Sequence, residues 1–108
     1  MSQIQEKIGT VEGTGAAITV SCGFQPDYVE IINIDSASGF EKGEWITGMA
    51  DPSAYKTVAA GTRTKLTTTG IGLFAGSASA APGFTIGTDA DLNVDGETIA
   101  YRAVRNLS

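Results

Sequence analysis

The sequence predicts an all-β fold, a single-domain antiparallel β-sandwich or jelly-roll-like barrel of about eight strands. Three observations lead there. Short runs rich in Val, Ile, Thr, Phe and Tyr recur at intervals of about ten residues, separated by Gly, Pro, Asn and Asp. No window of about a dozen residues carries apolar positions at three- and four-residue spacing without an interrupting Gly or Pro, so a helical signal is missing. The composition, with 14 Gly and only 18% charged residues against 42% apolar ones, suits short strands joined by tight turns rather than a disordered tail. A chain of 108 residues fits one domain with a modest core.

Each element follows from local pattern. Residues 1–12 read as an N-terminal arm or edge strand, in which Ile4 and Ile8 stand among polar neighbours and could dock on another molecule. Residues 13–108 then form the β domain proper. Ala16 to Gly23 alternates, with Ile18, Val20 and Cys22 on one face and Thr19 and Ser21 on the other. Phe24-Gln25-Pro26-Asp27 is a turn. In Tyr28 to Ile34, residues Tyr28, Glu30, Ile32 and Ile34 share one face and Val29, Ile31 and Asn33 the other. Apolar residues on both faces predict a central strand covered on both sides. Phe40 to Thr47 predicts a strand with an irregularity at Gly43, followed by a loop or single helical turn around Pro52. Ala54 to Ala60 and Thr62 to Thr69 predict a pair joined near Gly61, and Gly70 to Gly76 a separate short strand. Gly83 to Gly87 and Glu97 to Val104 predict a closing hairpin across the connection Thr88 to Gly96. No period of about 20 to 50 residues repeats, which argues against a solenoid.

Composition also restricts function. Twelve acidic and seven basic residues give a net charge of -5, without a Lys/Arg cluster, so no nucleic-acid partner is expected. No apolar stretch approaches the roughly 20 residues of a membrane span, and no charged segment followed by an apolar run marks a signal peptide. The expectation is therefore a protein made in a cytoplasm, not exported by the standard route and without a membrane partner. Histidine is absent, which removes the commonest general base and metal ligand. A Ser-His-Asp or Cys-His arrangement cannot be built, and the single Cys22 can form neither a zinc site nor an internal disulfide. Glu41 and Glu44 lie beside Lys42 on an expected surface hairpin, where solvated carboxylates are the simplest reading. No enzyme activity and no cofactor are expected.

One constellation merits weighing against metal chemistry. Asp89, Asp91, Asn93 and Asp95 place oxygen side chains at alternate positions before Gly96, as in a calcium loop. With Asp91 first, the twelfth position is Arg102, where a bidentate Glu is needed, and the flanks read as strands. An EF-hand is excluded, a looser calcium site remains a candidate, and a turn built from Asp, Asn and Gly is the favoured reading. Among the aromatic residues, most fall in alternating strands and are expected in the core. Trp45 and Tyr55 are expected to be exposed as interface anchors, with Ile4 and Ile8.

Gly13-Thr14-Gly15-Ala16-Ala17-Ile18-Thr19-Val20 and Gly23-Phe24-Gln25-Pro26-Asp27-Tyr28-Val29-Glu30-Ile31-Ile32-Asn33 resemble the N-terminal half of small virion structural proteins of tailed bacteriophages. Gly83-Phe84-Thr85-Ile86-Gly87 and Asn93 through Ala103 resemble their C-terminal part. Together these cover roughly half of the chain, in the same order. The resemblance implies a head decoration (cement) protein on the capsid exterior of the virion, bound to the major capsid protein and to copies of itself as a trimer or a dimer. The alternative it implies is a tail or fibre module that recognises a host-surface glycan.

Overall fold

The computed structural model describes residues 4–106. They form eight strands: β1 (Ile4–Glu12), β2 (Ile18–Val20), β3 (Tyr28–Asn33), β4 (Glu41–Ile46), β5 (Ser53–Thr57), β6 (Arg63–Phe74), β7 (Gly83–Ile86) and β8 (Thr98–Asn106). Every pairing is antiparallel, and the strands lie in one sheet in the order β1-β8-β3-β4-β5-β6-β7-β2. The protein is thus all-β with eight antiparallel strands, arranged as a single curled sheet, a half-barrel.

The curl follows from two contacts. Strands β8 and β7 stand near opposite ends of the sheet, yet Phe84 and Tyr101 meet edge to face with ring centroids 5.5 Å apart. The two edge strands, β1 and β2, are also consecutive in the chain. Residues 13–17 bridge them, which limits the gap there to about 20 Å. The concave side holds one core that includes Val29 and Ile31 of β3, Trp45 of β4, Ile71 of β6, Phe84 and Ile86 of β7, and Ile99 and Tyr101 of β8. Each fully buried Ile or Phe contributes roughly 2–3 kcal/mol of transfer free energy.

Several sequence expectations are corrected. The element expected at residues 1–12 begins outside the described residues. From Ile4 onward it is an edge strand hydrogen-bonded to β8 along its whole length. Strand β3 is central, as expected, but only one of its faces is covered. Val29, Ile31 and Asn33 are buried, while Tyr28, Glu30 and Ile32 are half-buried beneath no second layer of described residues and Ile34 is exposed. Long side chains of the neighbouring strands shield this face in part. No irregularity falls at Gly43, which pairs regularly with Ile31. Gly43 instead leaves room for packing, because a Cβ there would lie 2.8 Å from Leu92 Cδ1 and oblige that side chain to move.

The expected break at Gly70 does not end a strand. Strand β6 runs continuously, and the break marks an irregularity in the β5 ladder: Arg63 to Leu66 pair with β5, Ile71 pairs with Ser53 of β5 and also with β7, and Gly72 to Phe74 pair with β7. The register shifts between Ser53 and Ala54, where Gly70 lies against the Ser53 backbone too closely to admit a side chain. The last two strands form no hairpin. Strand β7 pairs with β6 and β2, and β8 with β1 and β3. The connection from Thr88 to Glu97 crosses between the two ends of the sheet and inserts Leu92 into the core.

Candidate functional site

Two places collect functional side chains: the convex face of the sheet and the crossing connection between β7 and β8. On the convex face, the pairing registers align Ile8, Arg102, Glu30, Glu44, Tyr55 and Lys65 in one row. The adjacent row holds Glu6, Val104, Tyr28 and Ile46. Period-two alternation puts these residues outward because their neighbours Val29, Trp45 and Tyr101 are drawn into the core.

Among the described residues, most charges in these rows are paired, Lys65 excepted. Arg102 Nε lies 2.6 Å from Glu6 Oε2, and Lys42 Nζ lies 2.8 Å from Glu30 Oε2. The Tyr28 hydroxyl donates to Glu44 Oε2 at 2.8 Å. Burial, the bond to Glu44 and the Glu30 charge all push the Tyr28 pKa well above the ordinary phenol value. Exposed pairs of this kind add little stability. They leave a face whose charge is largely neutralised, interrupted by apolar groups.

Those apolar groups are prominent. Ile4 and Ile8 are each 68% exposed, Ile46 is 54% and Tyr55 is 45%. Beside Tyr55 lies a hollow of about 300 Å³ walled by Tyr28, Glu44, Trp45, Ile46 and Met49. A second hollow of about 400 Å³ adjoins it at Met49 and Tyr55 and reaches Lys65. An aromatic ring beside a carboxylate and an ammonium can receive an apolar anchor or a polar ring with hydroxyls.

Of the four interface residues expected from sequence, Ile4, Ile8 and Tyr55 are exposed on this face. Trp45 is not. It is 3% exposed, and its indole N–H donates to the Ala50 carbonyl at 3.3 Å. The strand alternation turns Trp45 inward and Ile46 outward, so Ile46 takes the exposed place. Ile46 and Met49 went unnoticed in the sequence. The register that sets Ile46 opposite Tyr28 would have found the first, and nothing in the local pattern marks the second.

The crossing connection is a network of internal bonds. Lys56 Nζ lies 2.7 Å from both carboxylate oxygens of Asp89 and 2.6 Å from Asp91 Oδ2. Burial acts on Lys56 most strongly and lowers its pKa, but hydrogen bonds and charge from Asp89 and Asp91 outweigh it. The net position is above the ordinary lysine value. Asn93 is buried. Its Oδ1 accepts from the Thr14 and Gly15 amides, and its Nδ2 donates to the Ala16 and Gly87 carbonyls, at 2.7–3.1 Å. Asp95 is exposed. The four oxygen residues of the calcium candidate therefore do not converge. Two face the Lys56 ammonium, one is consumed by backbone groups, and one points away. Among the described residues, no three acidic or sulfur side chains gather to hold a metal ion.

No protein-family model, curated protein or solved structure matches this chain. The functional reading therefore rests on the two regions just described and on the resemblance in the sequence.

Proposed function

We propose that this protein is a phage head decoration protein. It binds the outer surface of the capsid, bridges neighbouring major capsid subunits and associates with copies of itself. The observation that carries this reading is the convex sheet face, where Ile8, Ile46 and Tyr55 stand exposed among charges most of which are already paired. Apolar anchors among polar groups that stay wet at the rim are the pattern of a protein–protein contact. The order of the phage-like segments along the chain supports a virion origin. No step of the reading needs catalysis or a cofactor. Electron cryo-microscopy of the parent virion tests it. Density for this fold on the shell exterior is expected, and density confined to the tail tip overturns the assignment.

A second reading is favoured by one feature, the hollow in which Tyr28 and Tyr55 flank Glu44. Aromatic rings beside a carboxylate suit a sugar ring, so the protein would be a tail or fibre module recognising a host-surface glycan. Glycan-array binding that Tyr55→Ala abolishes would establish it. Absence of binding across the array removes it.

A further inference from the structure

The two edges of the sheet differ. The β2 edge is three residues long, whereas the β1 edge is nine, with neither proline nor bulge. The backbone direction of β1 can be read from its end. The Gly13 amide bonds to the Glu97 carbonyl, continuing the register that pairs Val11 with Ile99 and Gly9 with Tyr101. Antiparallel ladders alternate, so odd-numbered residues of β1 bond to β8. Ile4, Glu6, Ile8, Thr10 and Glu12 then direct their amides and carbonyls outward, to a side on which no strand of the described residues pairs. A long regular edge of this kind is a template for a further strand.

We infer that β1 pairs antiparallel with β1 of a second copy about a two-fold axis at Ile8, joining two half-barrels into one continuous sheet. The inference rests on the self-association part of the function proposed above and chooses the dimer over the trimer. Self-complementarity selects this register. Centring the axis on Glu6, Lys7 or Gly9 sets Glu6 against Glu6, Lys7 against Lys7, or Glu6 against Glu12. Like charges directly opposed are unfavourable. Centring it on Ile8 opposes no like charges and pairs all nine residues. Ile8 meets its own copy, Glu6 meets Thr10, and Lys7 lies over Gly9, which has no side chain to obstruct it. The pairing satisfies the outward backbone groups of both copies. It also covers Ile8, otherwise 68% exposed, by an isologous contact that closes on itself.

The experiment uses the full chain. Light scattering coupled to gel filtration, from about 1 μM to about 1 mM, should give twice the 11.1 kDa mass of one chain in the upper part of that range. Ile8→Pro removes one outward amide and leaves the bonds to β8, so it should abolish the dimer while the protein stays folded. Ile8→Lys provides the same test should the proline variant not fold. Under mild oxidation, Ile8→Cys should give a covalent dimer and Lys7→Cys should not, with the unaltered chain and its Cys22 as control. A monomer at every concentration, a dimer indifferent to both Ile8 variants, or cross-linking through Lys7→Cys in place of Ile8→Cys would overturn the inference. So would monomeric wild-type protein that requires Ile8 for shell binding, since β1 would then dock on a capsid strand. Dimerisation through β1 without any density on the shell leaves this inference standing and removes the decoration function instead.

Discussion

At the scale of single residues, Asn93 holds the half-barrel closed. Its amide joins the loop between the two edge strands to the crossing connection through three hydrogen bonds, and a fourth ties it to Gly87 at the end of β7. Truncation removes all four bonds and leaves a gap where the buried side chain stood, so Asn93→Ala should lower unfolding stability by about 2 kcal/mol in urea titrations, with an unchanged slope. Lys56 plays the part a cation would play between Asp89 and Asp91. Lys56→Met strands a buried Asp89 carboxylate and should cost about 3 kcal/mol by the same measurement. With the ammonium in place, added calcium should leave the melting temperature of the unaltered protein where a chelator leaves it. A rise with calcium would show that the loop can rearrange around a metal. Lys56, Tyr28 and Tyr101 all have raised pKa values in the folded chain. Groups of this kind hold their protons more tightly when folded, so their contribution is full at neutral pH. It is lost as pH climbs above about 10, where the unfolded chain ionises first. Stability should therefore fall steeply on the alkaline side. Tyr28→Phe should flatten that fall in urea midpoints taken from about pH 8 to about pH 11, while costing about 1 kcal/mol at neutral pH.

At the scale of elements, β6 shows how one strand serves two partners. Its first part pairs with β5, its last part with β7, and Ile71 with both, and Gly70 sits at the register shift, with no room for a Cβ against the Ser53 backbone. Gly70→Ala should destabilise the protein by roughly 3 kcal/mol, read from the urea midpoint, because two backbones must separate. The sequence marks this place correctly as a discontinuity and misreads its kind. A Gly within an apolar run looks the same whether it ends a strand or shifts a register. The same ambiguity governs Gly43, which is regular in the ladder and packs closely under Leu92 from a distant segment. Strand existence was legible because alternation and β-branched runs are local, and seven of the eight strands fall where those runs place them, the exception being β6, which joins two. Pairing was legible only in part. The pair across Gly61 forms as expected. The expected hairpin between β7 and β8 dissolves, since β8 pairs with β1 and β3, far along the chain, and β7 with distant β2 and its other neighbour β6. The candidate site divides in the same way. Ile4, Ile8 and Tyr55 were readable as apolar residues among polar neighbours. Trp45 was misread because which face of β4 turns inward is decided by β3 and Leu92, not by β4 itself.

At the scale of the whole molecule, a single curled sheet has one covered face and one open face, and the division separates folding from association. Residues on the concave side, Trp45 among them, hold the core, whereas Ile46 and Tyr55 hold nothing inside the chain. The two classes alternate along the same strands, so adjacent substitutions should have opposite consequences. Trp45→Ala removes a buried indole and should cost about 4 kcal/mol, enough to leave much of a marginal domain unfolded. The double variant Ile46→Lys with Tyr55→Glu should change the urea midpoint by no more than about 0.5 kcal/mol equivalent, as surface changes do. It should nevertheless abolish incorporation into the virion, measured by comparing the protein content of purified particles that carry either form. Two buried anchors of this size account for several kcal/mol of a contact, hence a loss of about a thousandfold in affinity. A double variant that folds and still decorates particles normally would place the contact elsewhere on the molecule, with the exposed Phe40 before β4 as the next residue to change.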